Sequence, residues 1–193
     1  MAHPETQKII EKLKDPDPRV RDSAAEEAGC RSVREAIPHL IPLLWDTNAG
    51  VRASAVFAVA NCAEDLYDIS ETQERQEMKR QLEELAIPRL QELLSDSDGE
   101  VRAWTISGLL WLRRGNIAAP LIPLLLDDEY GRVRLEAVKY LGSCYYDEKT
   151  FLKLRQMLKD PDLQVRREVV KIMRRLQENF RQTSCLSSPS QLP

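Results

Sequence analysis

The sequence predicts an all-α fold: a right-handed α-α superhelix, or solenoid, of five short helical hairpins. Three observations carry that prediction. First, one phrase, an Asp, four variable residues and then Val-Arg, occurs five times, as Asp15…Val20-Arg21, Asp46…Val51-Arg52, Asp96…Val101-Arg102, Asp128…Val133-Arg134 and Asp160…Val165-Arg166. Second, the Val-to-Val spacings are 31, 50, 32 and 32 residues, and a near-constant period in this range marks stacked repeats. Third, Leu13, Leu44, Leu94, Leu126 and Leu158 stand two residues before the Asp, and Ile9, Leu40, Leu90, Ile122 and Leu154 stand six before it. Positions four apart share one face of a helix, so a buried helix leads into each phrase.

The elements follow in order. Pro38, Pro88 and Pro120 mark helix starts, because proline belongs in a first turn where its missing N–H has no helical acceptor. Pro42 and Pro123 come close behind and are expected to bend or loosen that first turn. The Asp falls at the turn, where Pro16, Pro18, Gly50, Gly99, Gly131 and Pro161 cluster as breakers. A second helix follows Val-Arg. Its core stripe lies four, five and eight residues after the Val: Ala24/Ala25/Ala28, Ala55/Val56/Val59, Thr105/Ile106/Leu109, Ala137/Val138/Leu141 and Val169/Val170/Met173. The long gap between the second and third phrases holds about 18 extra residues, where Ser70 and Gln73 form a capping-box pattern ahead of strong helix formers. A loop and an added helix over about 71–86, preceding or merging with the Pro88 helix, are expected. Residues 183–193 lack periodicity, are rich in Ser and Pro, and read as a disordered tail. The expected organisation is one solenoid over 1–182, with its insertion at about 64–86.

Charge and composition restrict the function classes. The formal net charge of the 193 residues is −3 and the isoelectric point is about 5.6, which argues against a general nucleic-acid binder. No apolar run is long enough for a membrane span, and the N-terminus does not read as a signal peptide. Cys30, Cys62, Cys144 and Cys185 are far apart without a CxxC pair, which suits free thiols in a reducing cytoplasm.

The phrase Asp-x4-Val-Arg-x2-Ala-Ala after a Pro-x-Leu-x2-Leu-Leu helix resembles the HEAT repeat, specifically the short type of phycobilin-lyase-like proteins, over roughly residues 5–181. The resemblance implies a stacked array used as a scaffold, adaptor or chromophore handler. It also implies a structural role for the repeated charges: Arg21, Arg52, Arg102, Arg134 and Arg166 in a ladder with the turn carboxylates Asp15, Asp46, Asp96, Asp128 and Asp160. A residue present in every unit cannot single out one binding site.

In such solenoids the second helices line the concave face, where a partner usually sits. The middle repeats place Phe57, Trp104, Trp111 and Tyr140 there beside the small or polar Asn61 and Ser107. Large aromatics among small residues suit an anchoring groove for a peptide or helix, or else packing between adjacent helices. Residues 64–100 carry 12 acidic and 4 basic side chains, whereas 153–181 carry 9 basic and 4 acidic. Lys171 and Arg175, with Arg174 and Arg181, are therefore candidates for a basic end that steers an acidic partner. The two histidines, His3 and His39, have no metal-spaced partner, and neither a phosphate loop nor a nucleophile motif is present. No catalytic residue, metal or cofactor is assigned. The expected function is a non-enzymatic, cytoplasmic scaffold or adaptor. Its concave face would bind a protein or peptide through Phe57, Asn61, Trp104, Ser107, Trp111, Tyr140, Lys171 and Arg175. The alternatives are a bilin lyase or chromophore-binding subunit and, further off, a glycosylase of the alkylpurine DNA type.

Overall fold

The computed structural model describes residues 4–63, 66, 72–143 and 148–186, with the backbone alone for 148–150 and 179–186. It is helical, with no strand among the described residues. The first hairpin pairs α1 (Pro4–Lys12) with α2 (Pro18–Cys30), and the second pairs α3 (Ile37–Leu40) with α4 (Ala49–Cys62). Then come α5 (Gln73–Gln81), α6 (Ile87–Leu93), α7 (Gly99–Trp111), α8 (Gly115–Ala118), α9 (Ile122–Leu125), α10 (Gly131–Ser143), α11 (Glu148–Gln156) and α12 (Leu163–Leu186). The second helices α2, α4, α7, α10 and α12 stack in chain order into one layer, and the first helices pack against it. This is an α-solenoid.

The predicted stripes account for the packing. All ten first-helix stripe positions are buried except Leu158, which is half-buried. The second-helix stripe is fully buried in the first three repeats. It loosens at Leu141 and Met173 and surfaces at Val170, on the side of α12 where no further second helix stacks among the described residues. Four of the five second helices are capped by the residue two beyond the turn Asp, a position the repeat pattern had not singled out. Asp17, Asn48, Asp98 and Asp162 each accept one or more backbone N–H groups of the following turn at 2.7–3.2 Å, satisfying donors that a helix start leaves open.

The prolines behave unequally. Pro42 turns the end of the second repeat's first helix into a tighter 3₁₀ segment, Ile41–Trp45, as the missing N–H dictates. In the fourth repeat Pro120 lies in a turn between α8 and α9, and Pro123 occupies the first turn of α9 instead, so the helix start assigned to Pro120 is corrected. Pro88 stands in the first turn of α6, as expected. Its segment continues from α5 through one wide turn, Leu82–Ala86, where the Ile87 N–H reaches Leu82 O five residues back. Such a turn absorbs the carbonyl that a proline cannot satisfy. The added helix is thus merged with α6. Its cap is Thr72, whose hydroxyl accepts from Arg75 N–H at 3.3 Å, while Ser70 lies outside the described residues. At the C-terminal end α12 reaches Leu186, so residues 183–186 of the expected tail are helical and 187–193 lie outside the described residues.

The repeated charges form a ladder with a defined direction. Arg21 donates Nη1 to Asp15 O and Pro16 O in its own turn, at 2.8 and 2.9 Å. Its Nε and Nη2 pair bidentately with Asp46 of the next repeat, at 2.8 and 3.0 Å. Arg52 holds Asp96, Arg102 holds Asp128 and Arg134 holds Asp160 in the same way, at 2.7–2.9 Å. Each Asp also accepts the N–H two residues on, at 2.8–2.9 Å. Burial alone pushes the Asp46, Asp96 and Asp160 carboxyls up. The hydrogen bond from the paired arginine, the turn N–H and the arginine charges outweigh it and leave all three below the ordinary carboxylate value. One planar guanidinium therefore staples a turn to itself and to the next repeat.

Candidate binding surface

On the second-helix layer, Phe57, Trp104 and Trp111 of the second and third repeats meet. Phe57 of α4 lies edge-on to Trp104 and Trp111 of α7, with ring centroids 5.3 and 6.3 Å away, and the two tryptophans are 6.2 Å apart. Seven residues is about two helical turns, so Trp104 and Trp111 share a face of α7. Phe57 reaches them because α2 presents Gly29 beneath it: a Cβ at Gly29 would stand 2.7 Å from the Phe57 ring. The cluster is graded. Phe57 and Trp104 are half-buried, and Trp111 is 45 % exposed.

The other predicted site residues divide. Asn61 is half-buried, one turn beyond Phe57. Ser107 is buried and donates its hydroxyl to Glu136 Oε2 at 2.9 Å, a bond between successive second helices. Tyr140 is 4 % exposed. Its hydroxyl donates to Gly115 O at 2.8 Å, and its ring lies against Gly115. Placing Tyr140 on the partner-facing surface is therefore corrected: it is a buried residue pinning α8 to α10. Lys171 is exposed and pairs with Glu168 at 2.9 Å, while Arg175 donates to Gly142 O. Both are on α12, separated from the aromatic cluster by α10.

The repeat comparison missed the polar rim of the cluster. Arg132, immediately before Val133, stacks over Trp104 with its guanidinium carbon 4.8 Å from the ring centroid. It also pairs with Glu100 at 2.6 Å, which in turn accepts from the Tyr130 hydroxyl at 3.2 Å. The Glu100 charge, with this hydrogen bond, pushes the Tyr130 hydroxyl above its ordinary value. Tyr130 occupies the position that carries a cap in the other four repeats, and its ring lies directly over Gly99, whose missing Cβ makes the room. The signal was present in the sequence as the one aromatic in the cap column. Lys139 pairs with Glu136 at 2.7 Å, so the layer passes from aromatic at α4 and α7 to paired charges at α10 and α12.

Exposed apolar side chains also occur elsewhere, with Leu124 at 70 % and Trp45 at 50 %. Trp45 is capped by Arg89, 5.3 Å above its ring. Cys62 is buried and donates to Ala28 O at 3.4 Å, in keeping with a packing role, and burial pushes its thiol up to about 12. Cys30 is exposed. Cys144 and the Cys185 side chain lie outside what is described. Among the described residues no group of His, Cys, Asp and Glu is placed to hold a metal ion, and no helix is long and apolar enough to cross a membrane.

The fold is an α-solenoid, similar to those of solved repeat proteins of the HEAT and armadillo kind. The family pattern described as HEAT repeats matches residues 118–186, which span the last two hairpins. Solved structures agree over most of the chain. The Escherichia coli protein YibA is 21 % identical with a TM-score of 0.65, covering 87 % of this chain and 58 % of its own. An engineered protein solved as a structural-genomics target is 19 % identical with a TM-score of 0.61, covering 88 % of this chain and 78 % of its own. A designed armadillo repeat protein in complex with the peptide (KR)4 is 21 % identical with a TM-score of 0.55, covering 88 % and 84 %. No curated protein matches. Together the family match and these likenesses support a HEAT-repeat protein, and at such identities the solved structures speak for the fold alone.

Proposed function

We propose that this chain is a non-enzymatic scaffold that holds a protein or peptide segment on the open side of its second-helix layer, its concave face. Phe57, Trp104 and Trp111 form the anchor. The observation that carries this reading is the cluster itself: three rings from two repeats packed edge to face, with Trp111 left 45 % exposed. A half-exposed tryptophan on a rigid helix is the kind of residue that dominates binding energy. Phe57 and Trp104 hold Trp111 from behind, so little side-chain freedom is lost on binding. Arg132 and Glu100 supply a polar rim that orients an extended or helical segment. Peptide binding by the designed armadillo protein of like fold lends this reading general support.

Replacing Trp104 and Trp111 together by Ala should abolish capture of the partner while the helical circular dichroism is retained. Unchanged capture by the folded double variant would refute the proposal. The free thiols Cys30 and Cys62 suit a cytoplasmic site of action. The phycobilin-lyase reading rests on the repeat subtype, and a flat absorbance titration with a linear tetrapyrrole would remove it.

A further inference from the structure

Among the described residues, one ladder arginine has no carboxylate in its fork. Arg166 donates Nη1 to Asp160 O and Pro161 O at 2.6 and 2.9 Å, as its four counterparts do in their own turns. Its Nε and Nη2, which in those counterparts grip the next Asp, have no acceptor among the described residues. Asp15 is the mirror case. It accepts from the Asp17 N–H at 2.8 Å, but among the described residues no arginine fork closes on it as Arg21 closes on Asp46.

The internal junctions show what else meets when two repeats stack. The residue seven after the Val of one repeat sits between those five and nine after the Val of the preceding one. A Cβ on Gly108 would meet Val56 and Ala60 at 3.0 and 3.6 Å. The residue six after the Val also covers the ninth, as Phe57 covers Gly29. In the same register the outer side of α12 offers Val170 and Arg174, and the outer side of α2 offers Glu26 and Glu27. Val170, Arg174 and Glu26 are exposed, and neither Arg174 nor Glu26 has an ion-pair partner among the described residues. The ninth column holds Gly29, Ala60, Leu110 and Gly142 before it ends on Arg174, and the seventh begins on Glu27 before Ala58, Gly108, Tyr140 and Ile172, so opposite charges stand on the two outer faces.

From this complementarity we infer that chains of this protein associate head to tail. Arg166 of one copy grips the Asp15 carboxylate of another, and Arg174 settles between Glu26 and Glu27. Leu163 stands where Gly99 and Gly131 lie beneath the next turn, so the contact is looser there than most internal junctions. Pro18 holds the same position in the first repeat, where the Arg21–Asp46 pair is still bidentate, so a bulkier residue does not prevent the fork from closing. A heterologous contact of this kind propagates rather than stopping at a closed dimer. Its reliance on charge makes it sensitive to salt.

Sedimentation velocity of the full chain over a concentration series tests this. At low ionic strength the weight-average sedimentation coefficient should rise with concentration, and ~0.5 M salt should suppress the rise. Arg174→Glu and Glu26→Arg should each raise the concentration needed by about tenfold or more. Both positions are exposed and make no ion pair among the described residues, so folding, checked by circular dichroism, is preserved. An equimolar mixture of the two variants restores opposite charges across every junction and should regain association. A wild-type coefficient independent of concentration would overturn the inference. So would variants that associate like the wild type, or a mixture that stays dissociated.

Discussion

Arg102→Ala removes one part-buried rung from the middle of the ladder, and its cost can be worked from the geometry. The guanidinium makes two charge-assisted bonds to Asp128 at 2.8 and 2.7 Å and two to the carbonyls of Asp96 and Ser97 at 2.7 and 3.2 Å. Both paired side chains are only 11 % exposed, so solvent screens them little. Breaking a buried pair by deleting one partner costs ~3–5 kcal/mol, because the other charge stays behind. Asp128 keeps the Tyr130 N–H at 2.8 Å, which puts the expected loss near the lower end, about 3 kcal/mol. For a chain of this size that lowers the melting temperature by ~6–12 °C. Arg166→Ala is the internal control. It loses the two carbonyl bonds but no Asp, and about 1 kcal/mol is expected. Urea unfolding followed by circular dichroism measures both. Equal losses in the two variants would refute the claim that the bidentate inter-repeat pair, rather than the turn staple, is the main stabilising contact.

Three further outcomes follow from the same coordinates. Asp46, Asp96 and Asp160 are held below their ordinary value when folded, so their contribution is complete above the unfolded value of ~3.9 and is lost as pH falls through the lower folded one. Thermal stability should stay level from neutral pH to about 5 and drop below about 4, and Asp96→Asn should flatten that acid arm; an identical acid arm in the variant would contradict the sign. Iodoacetamide with mass spectrometry should label Cys30 quickly and spare Cys62 in the native state, since Cys62 is buried and its thiol is pushed up to about 12; equal labelling would show that α4 opens readily. Ser32 and Arg113 end α2 and α7 with φ of 50° and 57°, a conformation that costs a residue with a Cβ about 1 kcal/mol, so Arg113→Gly should raise the unfolding free energy by ~0.5–1 kcal/mol in the same urea assay.

The solenoid was legible because its repeats enforce each other. A stripe such as Leu13, Leu44, Leu94 and Leu126 signals the same helix several times over, and each copy is buried. The Asp–Arg ladder was legible as a set of residues but not as a direction, since spacing cannot tell whether an arginine serves its own turn or the next. The aromatic cluster was half legible. Trp104 and Trp111 share a face of α7 by helical arithmetic, while Tyr140 was misplaced, because its burial depends on Gly115, placed against its ring after the turn that ends α7. The merger of α5 with α6 was legible as one of two alternatives, because a wide turn before Pro88 has no compositional mark to decide between them. Arg132 over Trp104 was not found because the contact joins two repeats, and only stacked coordinates supply it.

The central claim, that the aromatic side of the second-helix layer is where a protein partner is held, is tested most directly by site-specific photocrosslinking in cells. A benzophenone amino acid at Asn61, beside the cluster, should form a discrete covalent adduct that Trp104→Ala with Trp111→Ala eliminates. The same group at Leu124, the most exposed large apolar side chain of the first-helix layer, should yield no such adduct. An adduct from Leu124 alone, or an Asn61 adduct that survives loss of both tryptophans, would contradict the account.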